Sequence, residues 1–235
     1  MSKNIQPSSL GLRKIDLLLG LPAQRLDAIS RQCAWRHYEA GQRLVAREAE
    51  DRDLHMIVAG AVRVTTYSSA GREISFRDLA AGTSYGELSA LDGRPRSADV
   101  VALSPTLIAS LPPASFLALL REEWSVNEKV LLRLADLVRR LTDRVLDLST
   151  LSVQRRIYDE LLRLARIGGV AANRARIDPA PKHAEMASLV STYREQITRE
   201  LSALVKAGVL AKEAGALVVL DVERLQRMAA EATSH

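Results

Sequence analysis

The densest chemistry in this chain lies in the run Tyr85-Gly86-Glu87-Leu88-Ser89-Ala90-Leu91-Asp92-Gly93-Arg94-Pro95-Arg96-Ser97-Ala98. Gly82 and Gly86 let the backbone turn tightly and approach a ligand closely. A short helical turn starting at Gly86 would aim free N–H groups at an anion, for which phosphate is the natural occupant. Arg96 adds a planar, permanently charged fork that can hold two phosphate oxygens. Glu87 supplies a carboxylate able to accept from a sugar hydroxyl, and Ser97 a further small polar contact. A plain ion pair of Glu87 with Arg96 across the turn is the competing reading.

A second constellation is Ser191-Thr192-Tyr193-Arg194-Glu195-Gln196-Ile197-Thr198-Arg199, at the start of a helical pattern. A helix that enters the major groove reads base edges from its first residues, which here are Tyr193, Arg194, Glu195 and Arg199. Arg194 and Arg199 can each pair bidentately with guanine O6 and N7, and Glu195 can accept from cytosine N4. The competing reading is a solvated Arg/Glu face on a packed helix.

The rest of the chain offers little chemistry. His37, His55, His183 and His235 lie on different segments without metal-ligand spacing, so a structural or surface role is expected of each and no metal site. The single Cys33 can form neither an internal disulfide nor a cysteine cluster, and reads as a buried small hydrophobe. No P-loop, nucleophile elbow, HExxH or dinucleotide-binding glycine pattern is present, so catalytic residues are expected to be none.

Composition bounds the class. The 235 residues are 47% hydrophobic, 26% charged and 4% aromatic, which excludes disordered, collagenous and disulfide-scaffold proteins. No apolar run approaches the roughly 20 residues that span a bilayer, and the amino terminus lacks a signal-peptide layout. A cytoplasmic protein without membrane partners is expected. The net charge of +5 permits a polyanionic partner without naming one. Residues 1–150 hold 20 basic against 18 acidic side chains, and 151–235 hold 13 against 10, so the smaller part is the more basic per residue.

The elements that must position these residues follow from pattern. From Trp35 to about Leu111 short strands alternate with glycine turns: LHMIVAG, AVRVTTYS, a turn at Ala70-Gly71, then EISFRDL. Leu54, Met56 and Val58 alternate, as do Val62 and Val64, so one strand face is buried while the other meets solvent or a cavity. After Pro112-Pro113 helical periodicity takes over, in SFLALLREE and then from Val126 to Thr150. Val130, Leu134, Leu137, Leu141, Val145 and Leu148 fall near the spacing of a two-stranded coiled coil, although an ordinary amphipathic helix uses much the same spacing. Ser152 can cap a new helix that Gly168-Gly169 stops, which places a hinge at Leu148–Ser152. Beyond a loop with Pro179 and Pro181 come helix AEMASLV, turn STY, helix REQITRELSALVKAG and two apolar pieces flanking Gly215, the order of a winged helix-turn-helix.

The run from Gly86 to Ala98 resembles the phosphate-binding cassette of the cyclic-AMP receptor protein and fumarate–nitrate regulator family, in Gly86, Glu87, Leu88, Pro95, Arg96, Ser97 and Ala98. Arg194-Glu195-x-x-x-Arg199, with Glu185-Met186-Ala187 ahead of it, is similar to that family's recognition helix. The resemblance implies an α+β fold: an antiparallel β-roll, the cyclic-nucleotide-binding jelly roll, over 1–125, a dimerisation helix and hinge over 126–151, and a winged helix-turn-helix over 152–235. It implies a cyclic nucleotide at Gly86, Glu87, Leu88, Arg96 and Ser97, with Arg96 on the cyclic phosphate and Glu87 on the ribose 2′-hydroxyl. The family's two adenine-contacting hydroxyl residues align with Leu141 and Thr142, so only the second survives; cAMP is favoured and cGMP stays open, as does a same-fold regulator with another effector or none. Arg194, Glu195 and Arg199 would read a TGTGA-like half-site, with Ser191, Thr192 and Thr198 at or near phosphates and Tyr193 in place of the family's small residue. The partners implied are double-stranded DNA with an inverted repeat, a second copy of the chain as homodimer, and RNA polymerase.

Overall fold

The computed structural model describes residues 9–67 and 73–232. The turn expected at Ala70-Gly71, and His235, lie outside them. In chain order the elements are α1 (Ser9–Leu12), a 3-10 turn (Asp16–Leu18), α2 (Ala23–Gln32), β1 (Ala34–Tyr38), β2 (Arg43–Val45), β3 (Leu54–Ala59), β4 (Ala61–Tyr67), β5 (Glu73–Ala80), β6 (Ser84–Tyr85), α3 (Glu87–Asp92), β7 (Asp99–Ala102), β8 (Thr106–Leu111), α4 (Pro113–Glu122), α5 (Trp124–Thr150), α6 (Val153–Gly168), β9 (Val170–Ala171), β10 (Arg174–Ile177), α7 (His183–Leu189), α8 (Arg194–Lys206), β11 (Leu210–Glu213), β12 (Ala216–Val219) and α9 (Val222–Glu231). The chain divides into two compact units, Met1–Leu137 and Val138–His235. The division falls inside α5, so the break between α5 and α6 at Leu151 and Ser152 belongs to the second unit. Among the described residues no helix is long and apolar enough to cross a membrane.

The first unit is built on two antiparallel four-stranded sheets, ordered β1-β8-β3-β6 and β2-β7-β4-β5. Val45, Ile57, Val62, Tyr85, Val100 and Ile108 fill the space between them. The back of the first sheet is covered by helices, where Leu54, Met56, Ala109 and Leu111 meet Leu26, Ile29, Phe116, Val126 and Val130. β3 alternates as expected, but both of its faces are buried: Leu54 and Met56 face the helices, His55 and Ile57 the roll. A strand between two packed layers has no solvent face to spend on polar residues.

The exposed apolar row of α5 differs in register from the expected seam. Val126 and Val130 are buried in the core of the first unit. The exposed set includes Trp124, Leu131, Val138, Leu141, Val145 and Leu148. With half-buried Leu134, the positions 131, 134, 138, 141, 145 and 148 alternate three and four without a break. Val130 is therefore not available on the exposed face of the helix, while Leu134 packs against the core of the first unit and Leu137 is half-buried.

In the second unit α6 and α8 pack on a sheet ordered β11-β12-β10-β9, with α7 against α8 and α9 against α6. The core unites Ile157, Leu161 and Ala165 of α6 with Met186, Ile197, Leu201, Leu204, Val219 and Leu225. Ser152 caps α6, its Oγ accepting from the Arg155 amide at 3.1 Å. The helices and the β11–β12 wing follow the expected pattern. The β9–β10 hairpin and α9 were not expected; β9–β10 turns through Ala172 and Asn173, both at positive φ.

Candidate functional site

In the first unit β6 delivers the chain into Gly86, which caps α3 from the left-handed region at φ +88°. A Cβ there would collide with Arg96 Nη1 and stand 2.9 Å from the Asp53 carbonyl, so only glycine fits. The loop after α3 brings Arg96 back beneath this turn, where it is 4% exposed. Nη1 donates to the Gly86 carbonyl at 3.0 Å and Nη2 to the Asp53 carbonyl at 2.5 Å. Nε is buried without a hydrogen-bond partner. Glu87 is half-buried above the cradle, and Leu88 and Ser97 are exposed. Arg96 does not pair with Glu87; its ionic partner is Asp51, with Oδ2 3.1 Å from Nη2.

Asp51 and His55 are the members of this cluster that sequence reasoning missed. His55 Nε2 is 2.7 Å from Asp51 Oδ2 and 2.9 Å from Arg96 Nη2, and Nδ1 is 2.8 Å from Ser110 Oγ. Burial works to raise the Asp51 pKa, yet the hydrogen bonds from His55 and the Asp53 amide, with the charges of His55 and Arg96, hold it well below the usual carboxylate range. An ionised Asp51 only accepts, so His55 Nε2 donates to it. The Tyr85 ring lies 4.9 Å from that of His55; its hydroxyl is buried without a partner, and burial foremost pushes its pKa up. The available signal was the strand alternation, which puts His55 on the interior face of β3 beside Tyr85 of β6.

Leu141 and Thr142 are exposed on α5, Leu141 at 56%, and Thr142 Oγ1 donates to its own helix at the Val138 carbonyl. They lie in the second unit, the cassette residues in the first.

On α8 the buried row Ile197, Leu201 and Leu204 fixes the opposite side, which exposes Tyr193, Arg194, Glu195, Thr198 and Arg199. These side chains are the ones whose types suit base edges, and the helix presents them from its first turns. Arg199 Nη2 donates to Gln196 Oε1 at 2.6 Å. Thr198 Oγ1 donates to the Arg194 carbonyl and stands 2.9 Å from His183 Nδ1, whose pKa is lowered by burial and then by Lys212 and Arg194. Two expected phosphate contacts are placed differently. Thr192 is only 8% exposed, packed in the turn with its amide on the Ala187 carbonyl. Ser191, held at φ +53°, accepts from Arg144 Nη2 at 2.5 Å. No group of three or more His, Cys, Asp or Glu that could hold a metal occurs among the described residues.

The cyclic nucleotide-binding domain model matches residues 35–123, and the Crp-like helix-turn-helix domain model matches 155–228. The chain is 30% identical over 216 residues to the cyclic AMP receptor protein of Thermus thermophilus, covering 91% of this chain and 96% of that protein. It is 24% identical over 219 residues to the CRP-like cAMP-activated global transcriptional regulator of Mycobacterium tuberculosis, covering 93% and 98%. Among solved structures it is similar to the Thermus thermophilus catabolite activator protein, with TM-score 0.54 and 28% identity over 92% of this chain and 99% of that one. CprK complexed with OCPA gives TM-score 0.71 at 15% identity, covering 87% and 93%, a likeness of fold alone. A roll with this cassette, a long helix and a winged helix-turn-helix, in a chain matched along nearly its whole length, make this protein a member of the Crp/Fnr family of transcription regulators.

Proposed function

We propose that the protein is a homodimeric, sequence-specific transcription regulator controlled by a cyclic nucleotide, with cAMP favoured over cGMP. It acts by binding and not by catalysis, in the cytoplasm, on an inverted-repeat operator and in contact with RNA polymerase. Arg96 carries the reading. A buried guanidinium with an Nε–H that lacks an acceptor is a costly arrangement, relieved when an anion supplies the acceptor. Gly86 and Ser97 complete the cradle, Leu88 flanks it, and Glu87 takes the ribose hydroxyl. Thr142 contacts the base, with Leu141 supplying apolar packing in the dimer seam.

The exposed row from Leu131 to Leu148 is the dimer seam, with Leu and Val at one set of positions and Leu at the other, as two-stranded coiled coils favour. The nucleotide shifts an equilibrium between two orientations of the reading heads about Leu148–Ser152. A hundredfold preference for one orientation is worth about 2.7 kcal/mol of bias. Movement there breaks the Arg144–Ser191 bond and frees Ser191 for a phosphate. Arg194, Glu195, Arg199 and Tyr193 then meet base edges, with Thr198 near the backbone.

The test is calorimetric titration with cAMP and with cGMP, using Arg96→Ala as control, followed by anisotropy of an inverted-repeat duplex. Micromolar binding of one nucleotide that Arg96→Ala abolishes, with DNA affinity rising on saturation, is expected. A second reading, a regulator that ignores nucleotides or takes another effector, is favoured by Leu141 in place of a hydroxyl. It predicts no binding of either nucleotide, and DNA affinity indifferent to Arg96→Ala.

A further inference from the structure

Arg96 is fixed by backbone, not by its ionic partner. The Gly86 and Asp53 carbonyls take one N–H from each end of the fork, at 3.0 and 2.5 Å, and that pair already sets the guanidinium plane. Asp51 adds a third acceptor at 3.1 Å, on the nitrogen that the Asp53 carbonyl already occupies. His55 donates to the same carboxylate oxygen, so two donors from different segments, the loop after α3 and strand β3, converge on Asp51 Oδ2. The imidazole also stands 2.9 Å from Arg96 Nη2 through Nε2 and 2.8 Å from Ser110 Oγ of β8 through Nδ1, and the aromatic ring of Tyr85 on β6 lies against it. Asp51 therefore contributes charge at Arg96 and almost no orientation.

We propose that Asp51 is a built-in counter-anion that competes with the ligand's phosphate for Arg96, and so sets the nucleotide affinity. The inference rests on the reading of Arg96 as the phosphate-holding residue. With Asp51 in place the arginine is already neutralised, and an arriving phosphate meets a carboxylate within a few ångströms of its own charge. Like charges held this close near a protein surface repel even when solvent weakens the interaction. The carboxylate side chain is 36% exposed, so on ligand binding it can turn toward water, at the cost of the bond its Oδ1 accepts from the Asp53 amide at 3.0 Å. Its effect falls on the phosphate common to all cyclic nucleotides, and not on the base.

The experiment compares wild type, Asp51→Asn, Asp51→Ala and Asp51→Glu in calorimetric titrations with cAMP and with cGMP. Thermal melting checks that each variant is folded. Asparagine keeps the size and an acceptor oxygen for His55 while removing the charge. Expected is about fivefold to tenfold tighter binding in Asp51→Asn, equal in factor for every nucleotide that binds, with Asp51→Glu returning toward wild type. A folded Asp51→Asn that binds equally or more weakly overturns the proposal and leaves the nucleotide reading intact. A gain for one base only also overturns it, because it moves the effect away from the phosphate. Binding in Asp51→Asn and Asp51→Ala where wild type shows none supports it. Binding in none of the proteins overturns the nucleotide reading, and this proposal with it.

Discussion

Gly86 and Gly93 bracket the same six-residue helix, and both sit in the left-handed region, at φ +88° and +72°. Their surroundings differ. A methyl group at Gly93 meets nothing within 4 Å, whereas at Gly86 it collides with Arg96 Nη1 and comes within 2.9 Å of the Asp53 carbonyl. Gly93→Ala therefore costs only the left-handed conformation, about 1–2 kcal/mol. Gly86→Ala costs that and also drives the guanidinium off the Gly86 carbonyl, breaking a charged hydrogen bond worth about 1.5–3 kcal/mol, for a total of about 2.5–5 kcal/mol. Urea unfolding followed by tryptophan fluorescence reads this cleanly, because Trp35 and Trp124, the only tryptophans, both belong to the first unit. Nucleotide binding should fall with Gly86→Ala and persist with Gly93→Ala. Equal destabilisation by the two substitutions, to within about 0.5 kcal/mol, would refute the claim that Gly86 is required by the approach of Arg96.

Other outcomes follow from the remaining geometry. Leu141→Arg, in the exposed heptad row, should convert dimers to monomers in sedimentation, whereas Leu146→Arg, equally exposed but off that row, should leave them intact. Ser152→Ala removes the cap of α6 at a cost of about 1 kcal/mol, which amide exchange at Arg155 should register as roughly fivefold faster opening. Asp51 titrates below its unfolded value, so its stabilisation is complete above about pH 4 and is lost as pH falls through the folded value. Below pH 4 wild type should lose tryptophan-monitored stability more steeply than Asp51→Asn; parallel curves would contradict the pairing with His55 and Arg96.

The turn at Gly86 and the exposed polar face of α8 were legible because their residue types are constrained locally, by a glycine that must turn and by side chains that project from one helical face. The strands of the roll were legible by alternation. What stayed hidden depends on contacts between distant segments. His55 looked like an isolated histidine until β3 was placed against β6 and the 51–53 loop against Arg96. Which apolar row of α5 faces outward was ambiguous because Val130 and Leu131 are both apolar, and the burial of Val130 against the exposure of Leu131 distinguishes them. The β9–β10 hairpin escaped because its turn asks Ala172 for positive φ, a conformation alanine does not announce.

The two rows of α5 also fix an angle. Val126 and Val130 lock its first turns into the core of the roll, while Leu131, Val138, Leu141, Val145 and Leu148 are exposed. Because the helix is continuous, the phase of the row is set from Val126 and Val130 like a cam on a shaft, and one extra residue between Val130 and Leu131 advances it by about 100°. Such an insertion leaves the spacing within the row intact, yet turns the row about the helix axis relative to the two buried valines. The phase of this helix is thus a mechanical quantity in its own right, separable from the chemistry at either end.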